Sequence, residues 1–170
     1  DRTVGITGRI AKETQMVPVG HLTCVGATVS ELESVIDEYA AAGVHNVLAL
    51  RGDPPGGPGD QWVAHEGGLN YAAELVALAT RSGGFSVGVA AFPEPHPASM
   101  SAQVDVEVLR AKQEAGAEFA ITQFFFKSSA YFQLVDRARA GGVTIPIIPG
   151  IMPVTNLAQI TRFASLSGAD

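Results

Sequence analysis

The sequence predicts an α/β chain and, within that class, a (β/α)8 barrel of which about five consecutive βα units are present. Three observations carry this. Short apolar runs begin near residues 17, 46, 85, 119 and 145, and a helical pattern follows each. The runs are apolar throughout, as strands covered on both faces of a parallel sheet are. Each run ends in a polar or Pro/Gly signal: His21, Arg51 to Asp53, Pro93 to His96, Gln123 and Pro149-Gly150. Such residues at successive strand ends suit a barrel, whose site is the ring of βα loops. No helix opens on a G-x-G-x-x-G turn, so a doubly wound dinucleotide-binding sheet gets no direct support.

The elements follow in order. Gly5 to Met16 reads as the end of a helix, with Ile6, Ile10 and Ala11 on one side. Val17 to Cys24 is the first strand. Thr28 and Glu31 form a capping box at the start of the next helix, which Ala42-Gly43 stops. Asn46 to Arg51 is the second strand, and the loop RGDPPGGPGD follows it. A helix is expected from about Glu66 to Arg81, ended by Gly83-Gly84. Phe85 to Phe92 is the third strand, and Ser101 to Ala115 the next helix. Phe119 to Phe124 is the fourth strand, followed by a helix capped by Ser128 or Ser129. Ile145 to Ile148 is the fifth strand, and Thr155 or Asn156 caps a last helix.

Residues 1–170 are expected to be one domain. A full barrel needs roughly 250 residues. The chain is therefore read as a central portion, family units 3 to 7, with about two units expected before Asp1 and about one after Asp170.

Composition narrows the function. Apolar residues make up 46% and charged residues 16%, which suits a large core. The net charge of -6, without a basic cluster, speaks against a nucleic-acid partner. No run of 18 apolar residues is present to span a membrane. DRTVGITGRI has no apolar region of a signal peptide. Cys24 is the only cysteine, so no intrachain disulfide can form, which fits a reducing compartment.

The candidate site residues are few. His21 and Cys24 have H-x-x-C spacing, but three residues along a strand puts them on opposite faces, and one such pair is no metal site. Arg51 suits bidentate capture of a phosphate, and Gly52 lets backbone approach closely. Arg51 and Asp53 as a mere loop ion pair is the plain alternative. Glu94, His96 and Asp105 could form an acid/base set. Read singly, Asp105 and Lys112 are solvent-facing helix charges. Gln123, in an otherwise apolar strand, needs hydrogen-bond partners if buried, which a bound heterocycle would supply. Phe124 to Phe126 read first as core. The residues alone imply a small-molecule site for something with a phosphate and a flat ring.

Taken together, HLTC (21–24), LALRGDPP (48–55), PEPHP (93–97), AITQFFF (120–126) and IIPGIMPV (147–154) resemble the methylenetetrahydrofolate reductases. The resemblance runs over essentially the whole chain, in order and at compatible spacing. It implies an FAD-containing (β/α)8 barrel that reduces 5,10-methylenetetrahydrofolate to 5-methyltetrahydrofolate with NADH or NADPH. It further implies a cytoplasmic homo-oligomer, a folate substrate and a nicotinamide nucleotide as partners, and no membrane, nucleic acid or metal. His21, Arg51, Gly52 and Asp53 match the FAD-binding set. Asp53 would tune the flavin and touch the pterin, so it is also the catalytic candidate. Ala72 would line the adenine end. Phe92, His96, Asp105 and Lys112 match further FAD contacts. Gln123, Gln159 and Phe163 match contacts to the folate and nicotinamide, which alternate on one flavin face.

There are departures. Phe92 stands where some members have Tyr, and Ser99, Val108 and Ala111 replace other cofactor-contacting residues. The family's general-acid glutamate, on its first strand, is not in this chain, and Glu94 has no family precedent for that role. A flavin-independent reductase and a non-catalytic flavin or folate binder are the alternatives. A barrel aldolase or hydrolase would need a strand-end lysine with an acid/base partner. Lys127 is placed for that but lacks the partner.

Overall fold

The structure, a computed structural model, describes residues 2–57, 60–95, 99–153, 155–156 and 160–161. Its elements alternate: α1 (Arg2–Glu13), β1 (Gly20–Thr23), α2 (Val29–Ala41), β2 (Asn46–Leu50), α3 (Ala72–Ser82), β3 (Ser86–Ala91), α4 (Ala102–Glu114), β4 (Phe119–Thr122), α5 (Ser128–Ala140) and β5 (Ile147–Ile148). The five strands are parallel and lie in the order β1-β2-β3-β4-β5. A doubly wound sheet would reverse direction at a switch point. Unbroken sequential order is the arrangement of a barrel wall.

Alternation along the strands sorts the sheet into two faces. Leu22 pairs with Ala49, Ala49 with Val89, Val89 with Ala120, and Ala120 with Ile147. This row is buried and joins one core with Leu32 and Ile36 of α2, Leu75 and Val76 of α3, Leu109 of α4 and Leu134 of α5. The other row runs His21, Leu48, Gly88, Phe119 through the same registers. Next to it, Ala90 pairs with Ile121, and Ile121 with Ile148. His21, Thr23 and Ile148 on this side are exposed. The helices therefore cover one face, and the second is the inner face of a barrel arc.

Two tyrosines tie helices to strands. The Tyr39 hydroxyl donates to the His21 carbonyl at 2.9 Å, and the Tyr131 hydroxyl to the Ile147 carbonyl at 2.8 Å. Burial of Tyr39 raises its pKa, so the phenol stays protonated and keeps donating. Gly20 leaves room for the Tyr39 ring, and Gly88 for the Phe119 ring.

The elements agree with the sequence reading, but several boundaries differ: the first helix runs Arg2–Glu13 rather than Gly5 to Met16, and the fourth strand ends at Thr122 rather than Phe124. The first strand begins at Gly20, because Met16, Val17 and Val19 stay exposed. The fifth strand begins at Ile147. The fifth helix begins at Ser128 after Lys127, and neither Ser128 nor Ser129 caps it by its side chain. The third helix begins at Ala72 rather than Glu66. Ahead of it, Gly67 and Gly68 are held away from helix: the Val29 amide donates to the Gly67 carbonyl at 3.0 Å, and Gly68 bridges Thr28. The Glu74 carboxylate then caps the helix, accepting from the amides of Asn70 and Tyr71 at 2.6 and 2.9 Å. The capping box of Thr28 and Glu31 forms as expected, and the amide and hydroxyl donors of Thr28 hold the Glu31 carboxyl below its usual range. Of the expected last helix, Ile160 and Thr161 are helical, with the Ile160 amide donating to the Asn156 carbonyl.

Candidate functional site

The C-terminal strand ends bring together most of the residues expected to work. At the end of β1, His21 and Thr23 face the open side, while Leu22 and Cys24 are buried beneath α2 and its neighbours. A cleft of about 370 Å3 lies along this strand, lined among others by Thr3, His21, Thr23, Val25 and Glu31. Cys24 is no open thiol. Its Sγ donates to the Arg51 carbonyl at 3.3 Å, and burial pushes its pKa up.

The turn after β2 is locked by backbone. The Cys24 amide donates to the Leu50 carbonyl at 3.2 Å, and the Val25 amide to the Arg51 carbonyl at 3.0 Å. The chain then reverses at Gly52, whose φ is 85°. A Cβ on Gly52 would lie 2.5 Å from Cγ1 of Val25 and 3.2 Å from Cβ of Thr23, so both conformation and space demand glycine here. Asp53 follows and is exposed. Arg51 and Asp53 form no ion pair, which answers the plain alternative for that pair.

The Arg51 side chain is half-buried. Its guanidinium carbon lies 5.3 Å from the ring centre of Trp62, a cation–π distance. No side-chain hydrogen bond or ion pair engages that guanidinium among the described residues. The Trp62 indole N–H is itself buried, without an acceptor among the described residues. Sequence reasoning missed Trp62. The signal was present, since it is the single tryptophan and stands in the loop that Arg51 opens.

Lys112 corrects the reading of a solvent-facing helix charge. It is 8% exposed, and its Nζ donates to the Ala90 carbonyl at 3.0 Å. It lies one turn on from Leu109 and two from Val106, the buried side of α4. Burial lowers its pKa to about 8, with Asp105 acting to retain the proton and Arg51 to repel it. Asp105, in the first turn of α4, is half-buried rather than free in solvent. Lys112 thus feels the charges of both Asp105 and Arg51 near the ends of β2 and β3. Arg51 and Lys112 are the two cations of this region, with the carboxylate of Asp105 beside Lys112.

Ala72 is buried at the start of α3, and Phe92 is half-buried just past β3. Gln123 continues β4: its amide donates to the Ala91 carbonyl at 2.8 Å. Its side chain is half-buried, and its Oε1 accepts from the Phe124 amide at 3.0 Å. That contact fixes the carboxamide oxygen and leaves its NH2 group for a ligand. Phe124 and Phe126 pack edge to face, and Phe125 stacks on Tyr131. Gly150 closes the row, its amide donating to the Thr122 hydroxyl at 2.9 Å. His96, Gln159 and Phe163 lie outside the described residues.

The family model for methylenetetrahydrofolate reductase matches residues 1–170. The 5,10-methylenetetrahydrofolate reductase of Pectobacterium carotovorum subsp. carotovorum is 41% identical over 169 residues, covering 98% of this chain and 54% of the relative. That of Escherichia coli K12 is 41% identical over 167 residues, with the same coverages. Methylenetetrahydrofolate reductase 2 of Saccharomyces cerevisiae is 38% identical over 148 residues, covering 85% of this chain and 24% of the relative. The chain thus spans about half the length of the bacterial relatives. Among solved structures, phosphoenolpyruvate phosphomutase from Streptomyces platensis subsp. rosaceus aligns with a TM-score of 0.59 at 14% identity, over 95% of this chain and 63% of that one. A 2,3-dimethylmalate lyase of the PEP mutase/isocitrate lyase superfamily gives 0.59 at 11%, over 96% and 62%. At such identities the likeness is one of fold, and it is to barrel proteins, in keeping with the sheet order. The match over every residue, with the curated relatives in agreement, places the chain in the methylenetetrahydrofolate reductase family.

Proposed function

We propose that the protein reduces 5,10-methylenetetrahydrofolate to 5-methyltetrahydrofolate with FAD as cofactor and NADH or NADPH as donor. The observation that carries this is the coincidence of the family match with an intact row of strand-end groups: His21, Arg51 to Asp53, Phe92 and Gln123. The net reaction consumes one NAD(P)H and one proton per folate reduced. When bound, FAD supplies the two-electron relay between nicotinamide and folate.

The residues fit such a group. Arg51 and Lys112 provide two cations, the first with a donor fork unengaged among the described residues, toward the phosphates of the cofactor. Ala72 offers a small apolar wall for the adenine. The carboxylate of Asp53, exposed at the strand end, disfavours negative charge on a neighbouring ring and so adjusts its readiness to accept and release electrons. It also offers an acceptor to the pterin. The NH2 group of Gln123 can donate to the folate or the nicotinamide, while Oε1 stays fixed by the Phe124 amide. His21 lines the open face at the opposite end of the row.

The test is the visible spectrum of the protein expressed from its full native reading frame. Flavin bands near roughly 380 and 450 nm that bleach with NADH or NADPH are the expected result. A colourless protein that takes up no added FAD would sink the flavin reading.

A further inference from the structure

We propose that Trp62 is a positioning residue for Arg51: its indole face holds the guanidinium at the end of β2 so that the N–H fork is ready for a phosphate of the bound cofactor. The inference rests on the flavin reading above. The ring centre is 5.3 Å from the guanidinium carbon, and Arg51 has no other side-chain partner among the described residues. A half-buried arginine ordinarily spends its five donors on nearby acceptors. Here the guanidinium has the Trp62 ring beside it and, among the described residues, no oxygen acceptor for its donor fork.

The backbone at Arg51 is already fixed, since its carbonyl accepts from the Val25 amide and from Cys24 Sγ. The remaining freedom is in the side chain, and contact with the Trp62 ring removes part of it before any ligand arrives. Ordering that side chain in advance lowers the entropy cost of binding. Trp62 is itself carried on a held loop, because farther along it the Thr28–Gly68 bridge and the Val29 amide fasten the segment to the start of α2. The indole N–H is buried without an acceptor among the described residues. The ring therefore forgoes a hydrogen bond where it lies, which leaves the guanidinium stack as its specific polar contact. The neighbouring Lys112 repels Arg51. A ring face beside Arg51 offsets that repulsion until an anion bridges the two cations.

The experiment has two readouts on the full-length protein. First, in the cofactor-free state, Arg51→Gln should change the emission and acrylamide quenching of Trp62, isolated by subtracting the Trp62→Phe protein. Second, FAD affinity is measured for Trp62→Leu, Trp62→Phe, Arg51→Gln and the double variant Trp62→Leu/Arg51→Gln. Loss of the ring should weaken FAD binding about tenfold, Trp62→Phe should restore most of it, and the double variant should bind no worse than Arg51→Gln alone. Additive losses, no rescue by phenylalanine, or Trp62 emission indifferent to Arg51→Gln would overturn the proposal. A parent protein that takes up no FAD removes the flavin reading instead. The pair is then judged with inorganic pyrophosphate as the probe, and a Trp62 signal that fails to respond to it through Arg51 overturns the proposal.

Discussion

The two faces of one sheet follow different rules. On the helix-covered face, Val47, Ala49, Val89 and Ala120 are fully buried, and nearly everything is aliphatic. On the other face, His21 and Thr23 stand open, and Ile148 is 46% exposed. Register carries this division across all five strands, because parallel partners keep their side. The lesson is that position along the strand, as much as residue type, separates fold from site. Toward the C-terminal ends the apolar rule gives way as well: Arg51 follows β2 half-buried, and Lys112 reaches the Ala90 carbonyl from α4.

Substitutions should separate the two faces. The largest stability loss is expected from Leu75→Ala, since the side chain is fully buried in the covered core. A cost of about 2–5 kcal/mol, read by chemical denaturation, should come with no specific change in ligand preference in whatever protein remains folded. Gly52→Ala should cost about 1–3 kcal/mol, because it meets both the left-handed φ and the Val25 side chain. Unlike the core variant, it should also weaken cofactor binding in the folded fraction, as it displaces Arg51 and Asp53.

Lys112→Met should act in the opposite sense on stability. The lysine is buried, and its pKa falls from 10.5 to about 8, so the folded state holds the proton less tightly than the unfolded chain. Between those values the unfolded chain binds more protons, and stability rises with pH. The wild-type protein should show that rise between pH 8 and 10.5, and Lys112→Met should lack it. Near pH 7 the variant should be more stable by about 1–3 kcal/mol, yet bind FAD more weakly. In the wild type, FAD affinity should fall as pH rises through about 8, as Lys112 becomes neutral. The smallest stability effect is expected for Gln123→Ala, within about 0.5 kcal/mol. Its loss should appear in the KM for folate and nicotinamide, and equal denaturation midpoints would confirm the division between faces.

Much of the fold was legible because its signals are local. The Thr28–Glu31 capping box and the glycine stops at Gly43 and Gly83, both glycines at positive φ, stand where the sequence placed them. The start of α3 was not legible, because residues distant in sequence decide it: Thr28 and Val29 capture Gly67 and Gly68. Burial of Lys112 was legible in principle from its spacing to Val106 and Leu109, but its charge argued for solvent. The strand-end row was visible as a set of breaks in apolar runs. The Arg51–Trp62 contact was not, since cation–π pairs across a loop leave no periodic trace.

The most direct measurement is the reoxidation of the full-length protein after anaerobic reduction with NADH or NADPH. If the strand-end row is the site of a reductase, adding 5,10-methylenetetrahydrofolate should restore the oxidised spectrum and release 5-methyltetrahydrofolate, one per cofactor. A protein that binds FAD and is reduced, but stays bleached in the presence of the folate, would contradict the account.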